Sequence, residues 1–197
     1  MLTLSAHHDK MATDAEHKRK YTQSQKMVLT HIFCGGFLLA CFFFTGVFFP
    51  FPKPHLPTLF DRVVFTLRWL IVSLLPVWAG VILVGNVRFA TSAIDPLDQS
   101  GEKYIKMRSN FLQNTVEQFL LHSFGLTVLS TYLSEESMHW VPLLVILFVV
   151  SRVLFFVGYS IHPLKRSIGF FMTFAPSVAV MLYCLWCLIV YGFDAYR

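Results

Sequence analysis

The sequence predicts an all-α integral membrane protein with five transmembrane helices. Of its 197 residues, 55% are hydrophobic and 16% are aromatic, and the mean hydropathy is +0.59. Only 14% are charged, whereas soluble domains contain about 25% charged residues. Five long apolar stretches are separated by short polar or proline-rich segments, and each has about the 20 residues that a helix needs to cross a bilayer. A soluble domain of this size could not bury so much apolar surface.

The individual elements follow from where the apolar stretches begin and end. Residues 1–26 are polar and form a predicted cytosolic tail, without the apolar segment of a cleavable signal peptide. Residues 27–49 are the first span, and the proline-rich segment 50–61 is a stiff loop. Pro76 is expected to kink the second span. The other four spans are predicted at 63–87, 107–133, 140–161 and 167–192, and residues 193–197 form a short C-terminal tail.

The distribution of basic residues predicts the orientation of the chain. Eleven Lys and Arg residues lie in the tail, in 88–108 and in 162–166, whereas the opposite loops and the C-terminal tail hold three. Cytosolic segments carry the excess of Lys and Arg, so the N-terminus is predicted to be cytosolic and the C-terminus lumenal or extracellular. The net charge of +5 is thus explained by topology, and the chain lacks the basic, aromatic face of a nucleic-acid-binding domain.

The four cysteines predict neither a metal site nor a disulfide framework. All four lie inside apolar stretches. Cys184 and Cys187 form a Cys-x-x-Cys sequence, but no second cysteine pair or histidine pair is near it to complete a zinc site. We interpret these cysteines as small packing residues.

A polar face interrupts the first half of the third span. Asn110, Asn114 and Glu117 are spaced i, i+4, i+7, which places them on one side of a helix. A carboxylate inside a membrane helix costs roughly 3 kcal/mol or more, so we expect Glu117 to have a partner. Arg152 lies at a similar depth in the antiparallel fourth span, and Tyr159 follows it on the same face. Glu117 and Arg152 are therefore predicted to form a salt bridge, within one chain or between two.

Two interpretations of this polar face remain open on the residues alone. It is either a structural ion pair with hydrogen bonds between helices, or a pocket for a small anion that also carries amide and amine groups. In the pocket, Arg152 and Arg166 would hold carboxylates or phosphates, while Asn114 and Glu117 would accept hydrogen bonds from the amide and amine groups of the ligand. The polar face, which extends from Gln113 round to His122, is also wider than one neighbouring helix can cover, which predicts a homo-oligomer.

On these residues the chain resembles the MAPEG superfamily, the membrane-associated proteins of eicosanoid and glutathione metabolism. The family's second helix carries the pattern Arg-x-x-x-Asn-x-x-Glu, and Asn114 with Glu117 resembles its last two positions. Its third helix carries Arg and, seven residues later, Tyr, to which Arg152 and Tyr159 in SRVLFFVGY are similar. The sequence PLKRS, which contains Arg166, resembles the basic turn that follows.

The resemblance implies a four-helix membrane domain over residues 62–192, preceded by the extra helix 27–49 and assembled as a homotrimer. It also implies glutathione as a ligand on the cytosolic side, with Arg166 as the candidate catalytic arginine. The implied ligand-binding residues are Asn110, Asn114, Glu117, Arg152, Tyr159 and Arg166. Asn110 departs from the family pattern, which has Arg there, and this weakens both the carboxylate clamp and the activation of the thiol.

Two functions therefore remain open. The extra helix and basic tail resemble a branch of the superfamily associated with secretory and endo-lysosomal membranes, which implies a non-catalytic role in trafficking or in control of membrane-protein cargo. An endomembrane is then expected rather than a mitochondrial one. The alternative is a glutathione-dependent transferase, peroxidase or isomerase acting on lipophilic substrates, which would use the thiolate as nucleophile. The loss of Arg at position 110 favours the first function.

Overall fold

The computed structural model describes residues 2–48, 54–95 and 99–192, except for the side chains of 2–17, 47 and 99. Throughout these ranges the regular structure is helical, which confirms the predicted fold class. The predicted C-terminal tail 193–197 lies outside the described residues, as do parts of two loops, 49–53 and 96–98. The α-helices are α1 (Leu2–Phe48), α2 (Leu59–Ser73), α3 (Leu75–Ala90), α4 (Glu102–Tyr132), α5 (Trp140–Ile161) and α6 (Ser167–Tyr191).

Among the residues that the structure describes, four helical stretches are long and apolar enough to cross a membrane. They are Lys18–Gly46, Leu59–Ala90, Glu135–Ile161 and Ser167–Tyr191. Helix α4 is not one of them, because the polar residues of its first half lower its hydropathy. Its 31 residues nevertheless span roughly 46 Å at 1.5 Å per residue, and it packs against α2, α3, α5 and α6. The crossing of the membrane by α4 stays a prediction.

The second predicted span is divided into α2 and α3 near Pro76, as expected. Proline lacks the N–H that would bond the carbonyl of Val72, and its ring crowds the preceding turn. The structure places the break at Leu74, and the Trp78 N–H resumes the helical pattern by donating to the Leu74 carbonyl at 3.0 Å. Pro76 itself is buried within the first turn of α3, where the missing N–H costs least.

Helices α2, α4, α5 and α6 share one apolar core, and α1 packs on its outside. Buried residues of the core include Leu70, Leu126, Val141, Val145, Leu147 and Met172. Helix α1 lies close to α6 at Gly35, where an added Cβ would be 3.2 Å from the Ile168 carbonyl oxygen, and it meets Leu143 of α5 at Gly46. The phenylalanines on the other side of α1 are exposed.

Hydrogen bonds fix the two ends of the bundle. At one end the Leu56 N–H donates to Glu135 Oε1 at 2.8 Å, and Arg62 Nη1 donates to the Leu133 carbonyl at 2.9 Å. At the other end, His31 Nδ1 of α1 lies 3.1 Å from the Leu164 carbonyl oxygen in the turn between α5 and α6. We call this second end the basic end. Its described Lys and Arg residues are Lys18, Arg19, Lys20, Lys26, Arg88, Lys103, Lys106, Arg108, Lys165 and Arg166.

Helices α5 and α6 approach each other most closely at Gly169, which generates a prediction about stability. A Cβ at Gly169 would overlap the backbone of Phe155 and Ser151, and backbone atoms cannot move aside as a flexible side chain can. Gly169→Ala should therefore lower the free energy of unfolding by about 1–3 kcal/mol, measured by thermal unfolding in detergent. Gly85→Ala is the matched control, because nothing lies within 4 Å of a Cβ there. Equal melting temperatures for the two variants would contradict the close contact.

Candidate functional site

The polar cluster is centred on Arg152, whose side chain is 0% exposed. Its Nη1 donates to Asn114 Oδ1 of α4 at 2.9 Å. Its Nη2 donates to the Gly169 carbonyl of α6 at 3.1 Å and to Thr173 Oγ1, one helical turn further on. The guanidinium of one α5 residue thus joins α4, α5 and α6.

Aromatic rings surround the same guanidinium. Its Cζ lies 4.8 Å from the ring centroid of Phe155 and 5.9 Å from that of Phe148, within the range of cation–π attraction. In the part of the chain that the structure describes, no carboxylate lies within salt-bridge distance of Arg152. Its Nε has no hydrogen-bond partner there either. The charge of Arg152 is therefore stabilised by neutral acceptors and π faces.

The predicted salt bridge between Glu117 and Arg152 is wrong within one chain. Glu117 is exposed and accepts a hydrogen bond from Gln113 Nε2 at 3.1 Å. The face of α4 that is buried carries Phe111, Thr115, Gln118 and His122, one residue further along than the stripe through Asn110, Asn114 and Glu117. One residue is a rotation of about 100° on a helix, which leaves Glu117 on the outside. Because Arg152 is completely buried in its own chain, its guanidinium offers no surface to a second chain.

Three other predicted residues form a second group nearer the basic end. Asn110 Nδ2 donates to the hydroxyl oxygen of Tyr159 at 3.1 Å. The guanidinium carbon of Arg166 lies 4.9 Å from the centroid of the Tyr159 ring. The structure therefore brings five of the six predicted residues together in two groups, Arg152 with Asn114 and Asn110 with Tyr159 and Arg166. Only Glu117 is turned away.

A cavity of about 290 Å³ lies beside both groups and is partly open to the surroundings. Its lining includes Val28 of α1, Asn114 of α4, Phe155 of α5, and Arg166, Ser167 and Phe170 at the start of α6. Arg166 is exposed. The guanidinium of Arg166 and the amide of Asn114 are the groups that can bind an anion there.

Helix α1 is fixed to the rim of this cavity by His31. The His31 Nδ1 atom lies 3.1 Å from the Leu164 carbonyl oxygen and 3.2 Å from Ser167 Oγ. Ser167 Oγ itself donates to the Leu164 carbonyl at 2.6 Å. Val28, about one turn before His31 on α1, is thereby held as the outer wall.

Sequence reasoning missed the partners of Arg152 on α6. Gly169, Thr173 and Ser177 are spaced i, i+4, i+8, and such a stripe of small residues lets membrane helices approach closely. That spacing could have identified the α6 face that packs on Arg152. The predicted polar face also contains His122, whose Nε2 lies 3.1 Å from Ser73 Oγ and whose ring stacks on Phe148. This buried pair explains one polar residue of α4 without a ligand.

The residues of one chain do not fit a whole glutathione molecule. Glutathione carries two carboxylates, an ammonium and a thiol. Arg166 can hold one carboxylate, but Arg152 donates to three protein acceptors and Asn110 donates to Tyr159. Glu117, the carboxylate predicted to accept the ammonium, faces away from the cavity. The lining therefore fits a single anionic group. Among the described residues, no three His, Cys, Asp or Glu side chains are grouped to hold a metal ion.

Comparisons with known proteins place the same residues in a family context. The family model described as "MAPEG family" matches residues 66–186. The chain is 31% identical to Transmembrane protein 79 of Mus musculus over 143 residues, 73% of this chain and 36% of that protein. It is 29% identical to Transmembrane protein 79 of Bos taurus over 136 residues, 69% of this chain and 34% of that protein. The chain thus spans about a third of the length of these curated relatives. No solved structure gives a significant match.

Transmembrane protein 79, also called mattrin, is the member of the family that the extra first helix and the basic tail indicated. The family match begins inside α2, so that α1 and the proline-rich loop precede it. Five of the predicted site residues, Asn110, Asn114, Arg152, Tyr159 and Arg166, lie within the match and in the two groups around the cavity.

The contacts of Arg152 predict which pairs of residues are energetically coupled. Asn114→Leu should lower the free energy of unfolding by about 1.5–3 kcal/mol, because it removes an acceptor from a buried charged donor. The double variant Asn114→Leu with Arg152→Leu should lose less than the sum of the two single losses. Chemical unfolding in mixed detergent measures all three. Glu117→Leu with Arg152→Leu is the control pair and should be additive within about 0.5 kcal/mol. Coupling in the Glu117 pair and not in the Asn114 pair would show that Glu117, and not Asn114, is the partner of Arg152.

Proposed function

This chain belongs to the MAPEG family, and we propose that within it the chain is a non-catalytic protein. Its role is trafficking or control of membrane cargo in secretory or endo-lysosomal membranes. One observation supports the absence of catalysis: two polar side chains of the site, Arg152 and Asn110, are used by the fold. Arg152 is buried among protein acceptors, and Asn110 is bonded to Tyr159. Groups committed in this way cannot also stabilise a reacting thiolate.

The outer face of α4 supports an interaction with other membrane helices. Gln113 and Glu117 form an exposed hydrogen-bonded pair, which we call the α4 polar patch, beside the exposed apolar residues Leu120, Leu121 and Phe124. A carboxylate facing lipid is unfavourable, so this patch needs a covering helix. The occupant that we propose is a second copy of the chain, in a homotrimer.

The distribution of charge supports the orientation of the chain in its membrane. The basic end holds ten described Lys and Arg residues, and we propose that it faces the cytosol. The opening of the cavity beside Arg166 is then on the cytosolic side. The C-terminus is on the lumenal or extracellular side, because five crossings, α4 included, put the two ends of the chain on opposite sides.

A glutathione-dependent transferase, peroxidase or isomerase is the second candidate. The cavity beside Arg166 favours it, because an exposed guanidinium at an open cavity can lower the pKa of a bound thiol and stabilise its thiolate. Against it, that site offers a cation for only one of the two carboxylates of glutathione.

The two candidates differ in the chemistry that purified protein performs. We expect the full chain in detergent to conjugate glutathione to 1-chloro-2,4-dinitrobenzene no faster than buffer does, since Arg152 and Asn110 are committed to the fold. Absorbance of the conjugate measures the rate, and calorimetry with glutathione measures binding. Arg166→Gln is the matched variant, because it removes the exposed cation among the described residues that line the cavity. Turnover by the wild type that disappears in Arg166→Gln would overturn the proposal and establish the transferase.

The α4 polar patch gives a prediction about assembly and cargo. Mass measurement in detergent should show a trimer for the wild type and a shift toward monomer when Gln113 and Glu117 are both changed to Leu, because the polar pair no longer requires cover. Asn86→Leu, an exposed polar residue on α3, is the control and should remain trimeric.

In cells, wild-type chain should change the surface abundance of particular membrane proteins, measured by surface biotinylation, and the double variant should not. A wild type that is monomeric well above micromolar concentration contradicts the trimer, and an unchanged surface proteome contradicts the trafficking role.

A further inference from the structure

The cavity beside Arg166 has a wall that lies outside the family match. Val28 of α1 lines it, and His31 holds α1 against the turn between α5 and α6. The MAPEG match begins only at residue 66. Helix α1 therefore forms one wall of this cavity, and a ligand must fit a lining that includes Val28.

The amide of Asn114 presents a hydrogen-bond donor to the cavity. A guanidinium can only donate, so the atom of Asn114 that faces Arg152 must be Oδ1, as the 2.9 Å contact shows. The Nδ2 atom is consequently on the other side of the amide. Asn114 lines the cavity, and among the described residues its Nδ2 has no protein acceptor. An oxygen atom in the cavity would complete its hydrogen bonding.

The charges around the cavity favour an anion. Arg166 lies in the lining, held by its contact with the Tyr159 ring. Arg152 lies one hydrogen bond behind Asn114 and has no carboxylate neighbour in the part of the chain that is described. Both guanidinium groups contribute a positive potential, which is screened least around the buried Arg152, and an anion bound beside Asn114 would offset it.

We infer that this cavity binds the phosphate of an anionic membrane lipid. Arg166 and the Asn114 amide hold the phosphate oxygens, and the apolar side of the lining, Val28, Phe155 and Phe170, contacts the adjoining glycerol and the first methylene groups. The cavity has a volume of about 290 Å³ and is partly open. It admits a headgroup while the acyl chains remain in the bilayer. The surrounding basic end concentrates anionic lipids.

This inference rests on the proposed function in one respect, since the lipid is bound and not converted. Its test uses the full chain in nanodiscs of phosphatidylcholine with and without phosphatidic acid. Native mass spectrometry counts the lipids that stay on the protein after release. We expect phosphatidic acid to be retained about tenfold more than phosphatidylcholine, which is the size of effect given by one charge-assisted contact.

Three variants separate this site from general attraction to a basic surface. Arg166→Gln should abolish the preference, and Val28→Trp should do so without changing any charge, because it fills the cavity. Lys165→Gln removes the neighbouring exposed cation, which does not line the cavity, and should retain the preference. All three must match the wild type in gel filtration before they are compared. Equal losses in Arg166→Gln and Lys165→Gln, or an unchanged preference in Val28→Trp, would overturn the inference.

Inorganic phosphate distinguishes the two sources of a phosphate group. In nanodiscs of phosphatidylcholine alone, millimolar phosphate should neither raise the melting temperature nor compete with phosphatidic acid, because it lacks the apolar contacts. Full competition would overturn the lipid and leave a site for free phosphate. The glutathione assay tests the proposed function separately. If there is neither glutathione turnover nor a preference for phosphatidic acid, only the lipid inference is contradicted. Glutathione turnover would contradict the proposed non-catalytic function.

Discussion

The arrangement of the helices depends on how the buried charge of Arg152 is accommodated. A guanidinium taken out of water needs its N–H groups bonded, or it costs several kcal/mol. Here the acceptors come from two other helices, the Asn114 side chain of α4 and the Gly169 carbonyl with Thr173 of α6. The carbonyl can be reached only because Gly169 lets the backbones of α5 and α6 come into contact. One charge thus sets the spacing of three helices.

Hydropathy and helical spacing were sufficient to predict the fold class, the approximate bounds of α5 and α6, and the polar residues near Arg152. They were not sufficient to predict on which side of α4 Glu117 lies. Spacing determines which residues share a face of one helix, but not how that helix is rotated against its neighbours. A rotation of about one residue, roughly 100°, buries Gln118 and His122 and leaves Glu117 outside. The prediction of an oppositely charged partner also left out the neutral acceptors of α6, which accept the hydrogen bonds of the guanidinium in place of a carboxylate.

Helix α1 could be recognised from the sequence as an additional span, but its contribution to the site could not. No motif marks Val28 or His31: His31 contacts Leu164, 133 residues away in the chain, and Val28 lines a cavity whose other walls come from α4, α5 and α6. Such contacts depend on where α1 is placed against α6, at Gly35. A four-helix bundle without α1 would leave the region beside Arg166 open along that side. The additional helix therefore changes the shape of the site, although the described side chains of α1 supply none of the charged groups in the lining.

The two arginines near the cavity have different roles because they differ in solvent exposure. Arg152 is closed off by protein and fixes the helices, whereas Arg166 is exposed and contacts the Tyr159 ring. Asn114 connects them, because one end of its amide accepts from Arg152 and the other faces the cavity. The same hydrogen bond that satisfies the buried charge therefore orients the donor that a ligand would meet. Stability of the bundle and the lining of the cavity are therefore linked through this amide, which bonds Arg152 and lines the same cavity as Arg166.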